Sequence, residues 1–317
     1  MKKNNKIIIA LAVVLVVFVG VLIGIKNVTK NSEKISIITT NFPAYDFARA
    51  VAGDTADIKM LIKPGVETHD FEPTPQDIID IKNSKLFIYT GGESDEWIED
   101  VVKDISVDKT KLFQMMNVVE TKEEEVVEGM EHEHEHEDEE ETEYDEHVWT
   151  SLRNASKIIN NIKNELIKIS PENKNIYEEN TKNYTDKLTE LDANFQKIVD
   201  NGKRKTLVFG DRFPLRYFVD DYGLNYFAAF PGCSEQTEAS SNTVAFLIGK
   251  IKTENIPVVF KIEMSSGSIA KTIADETGAK VLTFNSAHNI SIDDFRSGLT
   301  YVKIMEENLK AFEEALK

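Results

Sequence analysis

The chain has 317 residues, enough for two medium domains, and a formal charge of −18. Residues 121–146 carry −14 of that, which leaves an ordinary solubility charge of −4 elsewhere. No basic patch interleaved with aromatics is present, which argues against nucleic acid as a partner. The single cysteine, Cys233, rules out an intrachain disulfide and reads as a small buried or loop thiol.

Ile7 to Ile25 is an uninterrupted apolar run of 19 residues, preceded by Lys2, Lys3 and Lys6 and followed by Lys26. A signal-peptide core is shorter, about 7–15 residues, and ends at a small-x-small site, which is missing here. Leu22-Ile23-Gly24 would suit a lipoprotein signal, but Ile25 stands where the lipidated cysteine belongs. At about 1.5 Å per residue the run nearly spans a bilayer core, and the leading lysines favour an inside N-terminus. Residues 1–28 are therefore expected to form an uncleaved anchor in the cell membrane, with the rest on its extracytoplasmic face. A cleaved signal peptide is the alternative.

Beyond the anchor, strands and helices alternate. Strands are predicted at 35–40, 57–62, 86–89 and 111–115, with helices at 42–52, 76–85 and 97–102 between them. From Thr121 to Glu146 the pattern breaks. The centre, Glu131-His132-Glu133-His134-Glu135-His136-Glu137, has no apolar period, and like charges push it open, so a mobile loop is predicted. A helix follows to about Lys168, then a longer one from Pro171 to Asn201. In the longer helix Tyr177, Tyr184, Leu188, Leu191, Phe195 and Ile198 recur as one buried face requires. Further strands are predicted at 206–209, 224–227, 257–260 and 280–284, alternating with helices near 215–222, 242–253 and 268–276. A single last helix runs from Ile292 through Phe312. Such alternation implies parallel sheets with right-handed crossovers. The predicted class is α/β: two lobes, 34–170 and 203–317, each a parallel sheet flanked by helices, joined by one long linker helix, 171–202.

In open parallel sheets ligands bind beyond the carboxyl ends of the strands. His69 follows the second strand inside a stiff turn, Glu72-Pro73-Thr74-Pro75. His147 follows the fourth, after the acidic loop. In the other half Asp211 follows the strand 206–209 and His288 the strand 280–284. All six histidines lie at such an end or in the loop. Imidazole nitrogens joined by carboxylate oxygen suit Zn²⁺, with Mn²⁺ next if oxygen predominates.

Two stretches make a resemblance specific. Thr68-His69-Asp70-Phe71-Glu72-Pro73-Thr74-Pro75 and Asp145-Glu146-His147-Val148-Trp149 are similar to the first two ligand motifs of the zinc/manganese solute-binding proteins of ABC importers. The His/acid-rich loop falls just before the second motif, as in zinc-specific members. The resemblance covers about Ile35 to Leu316. It implies a receptor, not an enzyme, that captures Zn²⁺ between two lobes and delivers it to a permease. His69, His147 and His288 are the expected ligands. In the C-terminal half the chain departs from the family pattern: Gly210-Asp211-Arg212 stands where a third imidazole or a glutamate is usual, and Asn285 where an aspartate is usual. Asp211 and Glu263 are both open as the fourth ligand. Asp211 would otherwise be a helix cap or a partner of Arg212. His132, His134 and His136 are read as a loop that gathers zinc, with a solvated acidic spacer as the plain alternative.

Three readings compete with the zinc receptor. A manganese receptor differs only in ligand balance. A zinc hydrolase needs an exchangeable coordination position and a nearby base, and no His-Glu-x-x-His helix is present. An adhesin would use metal only for stability.

Overall fold

The computed structural model describes residues 34–66, 71–103, 110–130, 143–232, 234 and 238–317. The apolar run 7–25, His69 and the histidines of the acidic loop lie outside them. Among the described residues, no helix is long and apolar enough to cross a membrane.

Two four-stranded parallel sheets form the frame. The first contains β1 (Ile35–Thr39), β2 (Ala56–Met60), β3 (Leu86–Tyr89) and β4 (Lys111–Gln114) in the order β2-β1-β3-β4. The second contains β5 (Thr206–Arg212), β6 (Asn225–Phe230), β7 (Val258–Lys261) and β8 (Lys280–Thr283) in the order β6-β5-β7-β8. The predicted fold class is the one observed.

The period of two along each strand explains how the layers pack. Ile37, Leu86 and Ile88 face a central core built with α1 (Phe42–Ala52), α4 (Leu152–Ile169), α5 (Lys174–Asn201) and α10 (Tyr301–Leu316). Their neighbours Ile38 and Phe87 face the opposite side, against α2 (Pro75–Asn83) and α3 (Trp97–Lys103) through Ile81 and Ile98. The second sheet repeats this. Leu207 and Phe209 join the central core, whereas Val208 packs with Leu247 of α7 (Ser241–Glu254) and Ile273 of α8 (Ser268–Thr277). One face of each sheet thus joins the central core, and the other packs against the sheet's own pair of helices.

Local chemistry sets where the helices start. The Asn41 side chain accepts from the Ala44 amide ahead of α1, and Ser151 accepts from Asn154 ahead of α4. Thr74 and Asp77 form a reciprocal capping box, with Pro75 at the first position of α2. The 28 residues of α5 span about 42 Å, and its buried face is Tyr177, Thr181, Leu188, Leu191, Phe195 and Val199.

The single last helix is in fact two, α9 (Ile292–Ser297) and α10. Gly298 takes a left-handed conformation at φ +77°, and the Thr300 hydroxyl caps α10 by accepting from Lys303. The apolar period runs across this break and concealed it.

Asp46 ties three elements together. This buried carboxylate on α1 accepts from the Tyr184 hydroxyl on α5 and from the Tyr301 amide of α10 at 2.9 Å. It also pairs with Arg49, which donates to the Leu299 carbonyl at 2.8 Å.

The acidic segment 121–146, expected to be structureless, is anchored at both ends. Glu123 bridges Tyr144, and the Glu124 and Asp145 amides donate across to Glu143 and Lys122. The Tyr217 hydroxyl, on α6 (Arg216–Tyr222), accepts from the Lys122 amide at 3.1 Å and donates to the Asp145 carbonyl at 2.6 Å. Met130 is buried. Charge patterning misses these ends because the partners that order them are over 70 residues away.

Candidate metal centre

Strand order reverses in each sheet at its second strand, between β1 and β3 and between β5 and β7. Such switch points open a crevice beyond the carboxyl ends of the strands. The segments that carry His147 and His288 follow the edge strands β4 and β8 and touch each other.

His147 immediately precedes the 3-10 turn Val148–Thr150 that leads into α4. Asp145 Oδ1 accepts its backbone amide at 2.7 Å and lies 3.2 Å from its Nδ1. That contact makes Nδ1 the protonated nitrogen and leaves Nε2 with its lone pair for a metal. Nε2 is buried and has no hydrogen-bond partner among the described residues. Burial pulls the imidazolium down, but the carboxylates around it, Asp145 foremost with Glu146 and Glu124, together outweigh it, so the net shift is upward.

His288 sits in the loop after β8, and three sets of bonds stiffen that loop. Glu263 accepts from the Ser286 amide (2.7 Å), the Ser286 hydroxyl (2.6 Å) and the His288 amide (3.0 Å). The Asn308 side chain pairs with the backbone of Asn285 in both directions. Trp149 Nε1 donates to the Ser286 carbonyl at 2.9 Å. The imidazoles of His147 and His288 end 5.0 Å apart between centroids, nearly perpendicular.

Glu146, between Asp145 and His147, is buried as well. Its Oε2 accepts from the Ser94 amide at 3.1 Å and its Oε1 from the Ser94 hydroxyl at 2.6 Å. One ligand atom each from Glu146, His147 and His288 lie within 4.8 Å of one another. A tetrahedral zinc with bonds of about 2.0–2.1 Å holds its ligands about 3.3 Å apart, so small side-chain rotations suffice to close on an ion.

The other expected ligands are placed differently. Asp211 is buried at the end of β5, and its carboxylate accepts from the Arg212 amide at 3.0 Å and the Ile262 amide at 3.4 Å. Glu263 braces the His288 loop, and burial raises its pKa against the opposing pull of its hydrogen bonds to Ser286 and His288. Neither belongs to the Glu146–His147–His288 group. His69 lies outside the described residues, but the chain leading to it is held: Asn289 accepts from the Gly65 amide at 3.1 Å and donates to the Val66 carbonyl. A cavity of about 220 Å³ opens beside His288, lined also by Gly65, Arg212, Ile262 and Glu263.

The sequence placed Trp149 in the second motif without a role, and it gave no role to Glu146 or Ser94. For Glu146 the signal was its place beside His147 inside that motif. Ser94 had none, because its role depends on a contact across 52 residues.

The chain is similar to zinc-uptake and zinc-binding proteins. A family model described as zinc-uptake complex component A, periplasmic, matches residues 37–315. The high-affinity zinc uptake system protein ZnuA of Bacillus subtilis is 34% identical over 292 residues, covering 90% of this chain and 88% of that protein. The zinc-binding lipoprotein AdcA of Streptococcus pneumoniae is 30% identical over 296 residues, covering 92% of this chain but only 58% of that longer protein. The crystal structure of the Zn(II)-bound ZnuA-like domain of Streptococcus pneumoniae AdcA matches with a TM-score of 0.73 at 28% identity. That match covers 89% of this chain and 99% of the domain.

Proposed function

The chain belongs to the zinc-uptake complex component A family, and from that we propose that it captures Zn²⁺ outside the cytoplasm and passes it to the permease of an ABC importer. Residues 34–170 and 203–317 act as the two metal-binding lobes, linked by 171–202. His69, His147 and His288 supply the imidazoles. The observation that carries this reading is the His147 ring: one nitrogen engaged by Asp145, the other buried with no hydrogen-bond partner among the described residues, beside His288. A buried polar nitrogen of that kind costs stability unless something coordinates it. Nitrogen donors favour zinc over manganese.

The reading extends to the rest of the chain. The protein is a solute receptor and not an enzyme, and nucleic acid is not among its partners. Residues 1–28 tether it to the membrane on the extracytoplasmic side, where the periplasmic and lipoprotein relatives work. His132, His134 and His136 gather zinc near the cleft.

Zinc titration of the full-length chain in detergent tests the central claim. One tight site is expected, lost in both His147→Ala and His288→Ala. A folded wild type that takes up no zinc overturns it. Deleting residues 131–142 tests the loop separately, with loss of additional weak sites as the expected result.

A further inference from the structure

Resting on the zinc reading above, we propose that the Glu146 carboxylate is a zinc ligand of the cleft, with Ser94 as the residue that positions it. Asp145 is committed to Nδ1 of His147, and among the described residues three further carboxylates come into question: Asp211, Glu263 and Glu146. Asp211 is taken up by two backbone amides at the junction of β5 and β7. Glu263 accepts from three donors of the loop that carries His288, so drawing it toward a cation would release that loop. Glu146 differs from both, because one of its oxygens lies within 4.8 Å of ring nitrogens of both His147 and His288.

Its chemistry matches its position. An ionised carboxylate offers about four lone pairs. Ser94 engages two of them, one on each oxygen, which fixes the plane of the group. The others remain available, and one Glu146 oxygen lies within 4.8 Å of a ring nitrogen of His147, whose Nε2 has no hydrogen-bond partner among the described residues. Only 1% of Glu146 is exposed, so water is a poor source of compensation for its charge. A divalent cation at this point satisfies the buried carboxylate and the buried imidazole together. Ligating carboxylates are themselves held by hydrogen bonds, and the Ser94 hydroxyl and amide have that role here. Glu146 and His147 are adjacent in sequence, so the first lobe presents an oxygen and a nitrogen ligand from one short segment.

The test uses the full-length chain in detergent, comparing wild type with Glu146→Gln and Ser94→Ala. Glutamine keeps the shape and can still pair with Ser94, so the metal-free melting temperature is expected to match wild type. Zinc affinity, by competition with a chelating dye, is expected to fall more than about 100-fold in Glu146→Gln and by about 10–100-fold in Ser94→Ala. Cobalt(II) in place of zinc reports the ligand set directly, and its visible bands are expected to shift in Glu146→Gln. Wild-type affinity in Glu146→Gln overturns the assignment. So does weaker binding with an unchanged cobalt spectrum, which would make the effect one of charge alone. A wild type that binds no zinc overturns the receptor reading and this one together.

Discussion

Trp149 donates its indole N–H to the carbonyl of Ser286 over 2.9 Å, and this bond joins the segment bearing His147 to the loop bearing His288. The Trp149 ring is fully buried, 5.4 Å from the ring of His147 and 5.3 Å from that of His288. Its own carbonyl accepts from the Tyr301 hydroxyl at 2.6 Å. Replacing Trp149 by Phe keeps most of the apolar contact but leaves the Ser286 carbonyl without this donor. A loss of about 1–3 kcal/mol in unfolding free energy is expected, read by urea denaturation of the metal-free protein. Zinc affinity is expected to fall as well, since the two imidazoles lose their shared brace. A variant that binds zinc like wild type would show that the brace is dispensable.

Asn289 does for the chain leading to His69 what Trp149 does for His147. Its side-chain amide meets the Gly65 N–H and the Val66 carbonyl, three residues short of His69. Two exposed hydrogen bonds of this kind are worth about 1–2 kcal/mol together. Asn289→Ala is therefore expected to speed zinc release by about 5–30-fold, measured by stopped-flow with excess chelator. No change in the release rate would mean that this clamp does not gate the ion.

Protons compete with zinc at His147, whose pKa burial lowers but the surrounding carboxylates, Asp145 foremost, raise by more. Zinc needs the neutral ring. Affinity is therefore expected to be full above the raised pKa and to decline as pH falls through it. Asp145→Asn removes the carboxylate, so the decline is expected to move to lower pH while affinity at pH 8 drops about 10–100-fold. Zinc titrations from pH 8 to pH 5.5 decide it. A decline at the same pH in both proteins would remove Asp145 from the account.

Asp95 makes the metal-free protein sensitive to pH in the opposite sense from a paired carboxylate. Burial pushes its pKa from 3.8 to about 7, against the help of the Thr90 and Gly91 amides it accepts. The folded state thus holds a proton that the unfolded chain has released between those values. Stability contributed by the protonated group is present below about pH 4 and is lost as pH rises toward about 7. Asp95→Asn keeps an acceptor for the two amides and carries no charge. Its melting temperature relative to wild type is expected to climb over that interval and then level off. Parallel curves for the two proteins would mean that Asp95 is ionised throughout.

Several features were settled by the chain's own pattern. Alternating apolar runs announced two parallel sheets, because burial on both faces of a parallel strand is a local property of its residues. The placement of His147 and His288 after the edge strands β4 and β8 was legible for the same reason. The break at Gly298 was also written locally, in a glycine followed by a capping threonine, but the continuing apolar period masked it. Tertiary contacts alone decided which carboxylate faces the imidazoles. Asp211, Glu263 and Glu146 are chemically alike, and their roles were divided by Ile262, Ser286 and Ser94, donors 51, 23 and 52 residues away. A carboxylate's function follows from the donors that reach it first, and the sequence order of those donors does not reveal their distance in space.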